Sequence, residues 1–213
     1  MKRLLMIILM VTACHRVEPD SGNRFHDDYY YGEYPDRKVS LTACDDEYVV
    51  LFDTDYKEEV LDYIDKNGFT ILLEPPRDLS YPDKDGFDIP EHLDELTQVF
   101  VMGDGDINAI PNLVFSDNLY ISGDSGRHLY TTHRFYVKYY DEELKVDLYE
   151  DALRYAAELK ITPVGTSESG NSRWIQFICT NESAGKPVEL ANWFCEEAGF
   201  SGGYPLFSSG TSY

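Results

Sequence analysis

The chain has 213 residues, enough for one large domain or two small ones once a leader is removed. With 43% hydrophobic and 14% aromatic residues it can build a core, which excludes a disordered chain. Its 39 acidic residues against 18 basic ones give a net charge of −21, which repels nucleic acid and anionic headgroups and excludes a phosphate-backbone binder; an acidic, soluble surface outside the cell is the plainer meaning.

The first residues form a leader. Lys2 and Arg3 supply a charged head, and Leu4 to Val11 an apolar run too short to span a bilayer as a mature helix. Val11-Thr12-Ala13-Cys14 then has the form of a lipobox, small residues before a cysteine that is acylated and becomes the new N-terminus. The expectation is a lipoprotein signal peptide over 1–13 and lipidation at Cys14. The mature protein is then lipid-anchored in the cell envelope, in the outer or inner membrane, facing the periplasm or the cell surface. Residues 14–28, polar and carrying Pro19, Asp20, Ser21, Gly22 and Asn23, are expected to be a tether.

Folded structure is expected from Tyr29. In "YYYGEYPDRKVSL" (29–41), aromatic and β-branched residues flank Pro35-Asp36 and predict a hairpin. "EYVVLFD" (47–53) reads as a strand, and "YKEEVLDYIDKNG" (56–68) as a helix with Tyr56, Val60, Tyr63 and Ile64 on one face and Gly68 at its stop. "FTILLE" (69–74) is a second strand. Pro75-Pro76 opens a long loop over 77–95, and "LTQVFVMG" (96–103) is a third strand. Residues 104–112 form a short helix weakened by Pro111, and 113–122 a closing strand or strand pair.

The rhythm then repeats. "HRFYVKYYD" (133–141) is a strand. Leu148, Ala152, Tyr155, Ala156 and Leu159 set the apolar face of a helix over 147–160 that Asp147 can cap. "ITPVGT" (161–166) is a strand, 167–171 a Ser/Gly turn, and "SRWIQFICT" (172–180) a strand alternating Trp174, Gln176, Ile178 against Ile175, Phe177, Cys179. A helix over 186–199 starts at Pro187 and stops at Gly199, and 200–209 closes as an edge strand with Pro205. Strand–helix–strand–strand–helix–strand thus occurs twice. The predicted fold class is α+β: two tandem ferredoxin-like (split βαβ) units over 29–122 and 131–209, each an antiparallel sheet with helices on one face, then a tail over 210–213. Each unit leaves its other sheet face for a partner.

Motifs for chemistry are weak. Gly123-Asp124-Ser125-Gly126 spells the tetrapeptide around the nucleophile of trypsin-like proteases, but a nucleophilic serine needs an oriented base. Of the five histidines, His15 and His26 fall in the tether, His92 in an acidic loop, and His128 and His133 flank the link that holds Ser125. The expectation is a tight turn and no catalytic residue. Gly165-Thr166-Ser167 and Gly210-Thr211-Ser212 lack the partners of a subtilisin-like triad. Asp104-Gly105-Asp106-Ile107-Asn108 opens like a calcium loop but has Phe115 where the bidentate Glu belongs, and Asp83, Asp85 and Asp88 suggest the same ion weakly. Beyond Cys14 there are Cys44, Cys179 and Cys195, which leaves a Cys179–Cys195 disulfide and buried thiols both open. No Cys-x-x-Cys occurs and no histidine sits at ligand spacing from a cysteine, so no metal or other cofactor is expected.

The second repeat resembles a known family. Phe135-Tyr136-Val137-Lys138, Trp174 to Thr180 (WIQFICT), Val188 to Glu196 (VELANWFCE) and Phe200 to Phe207 (FSGGYPLF) are similar, in order and spacing, to the N-terminal propeptide-type region of bacterial subtilisin-like serine proteases. The upstream segment from Tyr29 looks like the region that precedes it there, so the likeness covers roughly 29–209. The family continues into a catalytic domain, whereas this sequence stops at Tyr213 and looks like a propeptide without its enzyme. The family's "AEPDF"-like closing segment is replaced by Gly202 to Phe207 (GGYPLF), and its acidic pair is lost.

The resemblance implies a non-enzymatic, lipid-anchored protein that inhibits or chaperones a subtilisin-like serine protease. Its open sheet face would meet the enzyme through Trp174, Gln176 and Ile178 or their alternating neighbours. Tyr204, Leu206, Phe207 and Tyr213 would come from a C-terminal segment lying in the substrate cleft. The alternative is a cell-envelope module on the same scaffold that binds another protein or a glycan; an active hydrolase ranks last.

Overall fold

The structure, a computed structural model, describes residues 29–33, 37–80, 87, 89–90, 93, 95–123, 125–140, 145–170 and 172–208. The leader, Cys14, the tether, the Pro35-Asp36 turn, Asp83, Asp85, Asp88, His92 and the tail with Tyr213 lie outside the described residues. Among the described residues the fold is α+β, ten strands in one antiparallel sheet and three α-helices. In chain order they are β1 (Tyr29–Glu33), β2 (Arg37–Asp53), α1 (Lys57–Lys66), β3 (Thr70–Ile71), β4 (Arg77–Ser80), β5 (Glu95–Met102) and β6 (Leu113–Ser122). The second half holds β7 (His128–Tyr140), α2 (Lys145–Leu159), β8 (Thr162–Ser169), β9 (Ser172–Ile178), α3 (Pro187–Glu196) and β10 (Gly202–Ser208).

Each half lays its strands in the same order. The first runs β6-β2-β5-β3, with β4 added on β5, and the second β10-β7-β9-β8. With β1 and β4 left out of the first half's count, both orders are fourth, first, third, second. The halves are fused: β1 pairs with both β2 and β10, and β6 pairs with both β2 and β7. Because β10 also pairs with β7, the pairing closes into a ring of β1, β2, β6, β7 and β10. Leu41 and Tyr120 pack there with Val188 of α3, with Ala43, Leu129 and Phe207 against them. The close approach of α3 to β10 requires Gly203, where a Cβ would overlap the Ala191 carbonyl.

The halves bury their sheets differently. In β2, Val49 and Leu51 face the main core while Val50 and Phe52 face α1, and all four are wholly buried. Val60 and Ile64 of α1 cover one face, and the other meets Leu93, Leu96 and Phe100, with Leu72, Leu73 and Leu79 packed around them. In the second half α2 and α3 bring Ala152, Ala156, Leu159, Leu190 and Phe194 onto Phe135, Val137, Ile175 and Phe177. Phe177 stacks on Phe135 at 5.3 Å and on Phe194 at 5.4 Å. Pro187 starts α3, and Glu189 Oε2 accepts from the Lys186 amide at 2.7 Å, which satisfies one of the donors the helix start leaves open.

Several expectations are corrected. β2 is a single 17-residue strand, not a hairpin arm followed by a separate strand. Its register against β6 shifts between Ala43 and Tyr48, and that bulge holds the polar residues that break the apolar pattern. The strand expected over 69–74 shrinks to Thr70–Ile71, and the loop over 77–95 contains β4. Residues 104–112 hold only a three-residue 3-10 turn, Ile107–Ala109, started by Asp106 and stopped before Pro111. Tyr56 is 43% exposed and does not join the buried face of α1. α2 starts at Lys145, so Asp147 is inside it and not its cap. The turn predicted at 167–171 is mostly strand, because β8 runs on to Ser169 and turns at Gly170. β10 is not an edge strand. It lies between β7 and β1, and Pro205 is tolerated because β1 reaches only Gly202 and Gly203.

Candidate functional site

Strand period sorts the second half's residues by face. On β7, Phe135, Val137 and Tyr139 point to the helices, so Tyr136, Lys138 and Tyr140 point away. Cross-strand register then sets Tyr136 between Gln176 and Tyr204, and Lys138 between Trp174 and Gly202. The result is a patch of Tyr136, Lys138, Tyr140, Trp174, Gln176 and Tyr204 with no helix over it among the described residues. Tyr136, Trp174, Gln176 and Tyr204 are half-buried, and Tyr140 is 46% exposed.

The patch is organised. Trp174 and Tyr204 lie 5.2 Å apart, ring to ring. The Lys138 ammonium sits 4.8 Å from the centre of the Tyr140 ring and 5.3 Å from that of Trp174, with the residue only 7% exposed. A cation held between two ring faces fixes both rings, and it places positive charge inside an apolar surface of an acidic protein. Ser201 clamps the same strand position, its amide and its hydroxyl each donating to the Lys138 carbonyl at 2.9 Å.

Of the residues singled out in the sequence, Trp174, Gln176 and Tyr204 come together here. Ile178 does not: it is wholly buried in the main core, so the open face ends at Gln176. Leu206 and Phe207 are not a free tail either. Phe207 pairs with Thr131 in the sheet and packs on the ring core, and the Leu206 carbonyl accepts from Thr132 Oγ1 at 2.8 Å. A free extension can start only after Ser208. Tyr136, Lys138 and Tyr140 were missed, although the alternation of "FYVKYY" (135–140) against Phe135 and Val137 was the signal that could have found them.

The serine motif is a turn between β6 and β7, with the Gly126 amide donating to the Ser122 carbonyl at 2.7 Å and the Ser122 amide to that of Arg127 at 2.9 Å. Ser125 is exposed. The neighbouring His128 turns its Nδ1 to Glu47 Oε2 at 3.0 Å, and His133 is wholly buried, its ring 6.2 Å from that of Phe115. Gly165-Thr166-Ser167 lies inside β8. Asp106 caps its own turn, accepting from the Asn108 amide at 3.0 Å. Cys179 and Cys195 are both buried, and no disulfide joins them, so of the two alternatives the structure has the buried thiols. Burial, and then Glu47, Asp46 and Asp45, push the Cys44 thiol up to about 11. Among the described residues no helix is long and apolar enough to cross a membrane. No model of a known protein family matches the sequence, and no curated protein matches it.

Proposed function

We propose that this chain is a lipid-anchored, non-enzymatic, propeptide-like protein that binds a subtilisin-like serine protease, as inhibitor or folding helper, through the open face of its second half. The two halves are on this proposal tandem ferredoxin-like units, the first with a 3-10 turn in place of its second helix. The observation that carries it is the patch of Tyr136, Lys138, Tyr140, Trp174 and Tyr204, left uncovered where the opposite face of the same strands holds two helices. Large, fixed aromatic rings around a desolvated cation are the residue types that dominate protein interfaces. The exposed Ser125, on a turn whose nearest histidine is engaged by Glu47, supports a binding role rather than hydrolysis.

The cleft contact differs from the one the sequence suggests. With Leu206 to Ser208 held in β10, a segment that enters a substrate groove starts after Ser208. The anchor is placed at Cys14 on the strength of the lipobox, and Cys14→Ala should move the chain from the membrane to the soluble fraction.

The decisive experiment is a dose–response of the chain against the cell's secreted subtilisin-like proteases. Inhibition should weaken by about 30-fold or more in Trp174→Ala or Tyr204→Ala, the loss of one interface hot spot, and less on deletion of 209–213. Absence of inhibition and of complex formation would overturn it, and would shift the patch to a different envelope protein or glycan.

A further inference from the structure

The seam between the halves holds a cluster outside the patch. Cys44 and Glu47 bracket the β2 bulge, and His128 begins β7, 81 residues beyond Glu47. The Cys44 sulfur, a Glu47 carboxylate oxygen and a His128 ring nitrogen all lie within 4.8 Å of one another, and His128 Nδ1 is already 3.0 Å from Glu47 Oε2. We propose that Cys44, Glu47 and His128 form a site for a divalent transition-metal ion, zinc foremost, with the fourth position open to water or to a donor from a bound partner.

The donor set suits that ion class. Thiolate, imidazole and carboxylate are the ligands zinc takes, and three protein donors with one open position is its usual accessible form. A tetrahedral zinc needs its ligands about 3.3–3.6 Å apart, so closing the set asks for a shift of roughly an ångström. Glu47 and His128 can supply it, since their side chains are 17% and 46% exposed, and that exposure also gives an ion its entry path. On binding, Cys44 gives its thiol proton to solvent and the sulfur becomes a thiolate ligand.

The backbone beneath is built in advance. Three carbonyls of the bulge are tied: that of Cys44 accepts from Asn118 Nδ2 at 2.5 Å, that of Asp45 from the Tyr48 hydroxyl at 2.6 Å, and that of Asp46 from the Gly103 amide at 2.9 Å. The bulge therefore holds Cys44 and Glu47 toward His128 whether or not an ion is present. Asp45 and Asp46 are exposed beside it and raise the local concentration of cations. A bound ion would join β2 of the first half to β7 of the second, a cross-link between the halves. Sequence spacing hid the set because the sheet, not a local motif, brings His128 to Cys44.

Cobalt reports the site directly. The full, untagged chain, reduced with a phosphine, is titrated with Co²⁺ and followed by its electronic spectrum, then competed with Zn²⁺. The expected result is one equivalent of tetrahedral cobalt with a thiolate-to-metal charge-transfer band, displaced by zinc. Cys44→Ser should abolish that band. His128→Asn, an exposed change that leaves the fold intact, should weaken binding by at least about 100-fold, the loss that even a supporting partner of a metal site can cause. No thiolate band in the unchanged chain, or equal affinity in His128→Asn, overturns the site.

Discussion

The two halves share a strand order and differ in what they cover. In the first half β2 reads Val49-Val50-Leu51-Phe52, and both of its faces are sealed, one by α1 and one by the main core. In the second half β9 reads Trp174-Ile175-Gln176-Phe177, and only Ile175 and Phe177 are sealed. An unbroken apolar run belongs to a strand buried on both sides, whereas alternation belongs to one with a free face. One architecture thus yields one half sealed on both faces and one sealed on a single face, and the choice is written in four consecutive residues.

The largest expected effects separate these cases. Leu51→Ala and Phe52→Ala point to opposite faces, yet each should cost about 3–5 kcal/mol in chemical denaturation, because each leaves a cavity in sealed packing. Phe177→Ala should match them, since its ring stacks on both Phe135 and Phe194. Trp174→Ala, on the half-buried face, should cost only about 1 kcal/mol. Equal losses for Trp174→Ala and Phe177→Ala would show that the second half is as closed as the first.

Next in size is a pH effect at the buried joint between the halves. Asp117 lies in β6, and burial, only partly opposed by Lys186 of the second half, pushes its carboxyl up to about 7 from the ordinary 3.8. Its Oδ2 is buried without a hydrogen-bond partner. A carboxyl raised in the folded state contributes stability that is complete below 3.8 and lost as pH rises through 7, on the order of 4 kcal/mol. His133 in β7 runs the other way. Burial, and then Arg134, push it down to about 3 from 6.5, so its contribution is complete above 6.5 and lost as pH falls toward 3. Between about 4 and 6.5 the two oppose each other, and thermal melts of the unchanged protein should move little on their account. Asp117→Asn should unmask a stability that rises with pH to 6.5, and His133→Gln one that falls from 3.8 to 7. Parallel pH profiles for the two variants would refute the opposed pair.

Much of the fold was legible because periodicity carried it. α2, α3, β5 and β9 follow apolar spacing. What stayed hidden is what long-range pairing decides. Nothing local in "VSLTACDDEYVVLFD" (39–53) says that Asp45 and Asp46 sit in a bulge of one strand rather than in a loop between two. The closure of β1 onto β10 likewise depends on a pairing of Gly32 with Gly203 that neither segment announces. The open face was half legible: alternation proposed Trp174 and Gln176, while Ile178, next in the same parity, is sealed because β9 ends against the main core.

The smallest effect expected is at the rim of the closed half. Lys57, at the start of α1, donates to Asp78 of β4 at 2.7 Å, and Thr97 Oγ1 donates to the same carboxylate oxygen at 2.9 Å. Those two hydrogen bonds, Lys57 first, hold the Asp78 carboxyl below its ordinary value. A lowered carboxyl contributes stability present above 3.8 and lost as pH falls below it. Both side chains are largely solvated, 32% and 58% exposed, so water and salt screen the pair. Asp78→Asn keeps an acceptor for Thr97 and removes only the charge, so it should cost less than about 1 kcal/mol at low salt and nearly nothing at high salt. A larger, salt-independent loss would mean that β4 is held to α1 by this pair rather than by its ladder to β5, and that the closed half owes its cover to charge instead of apolar packing.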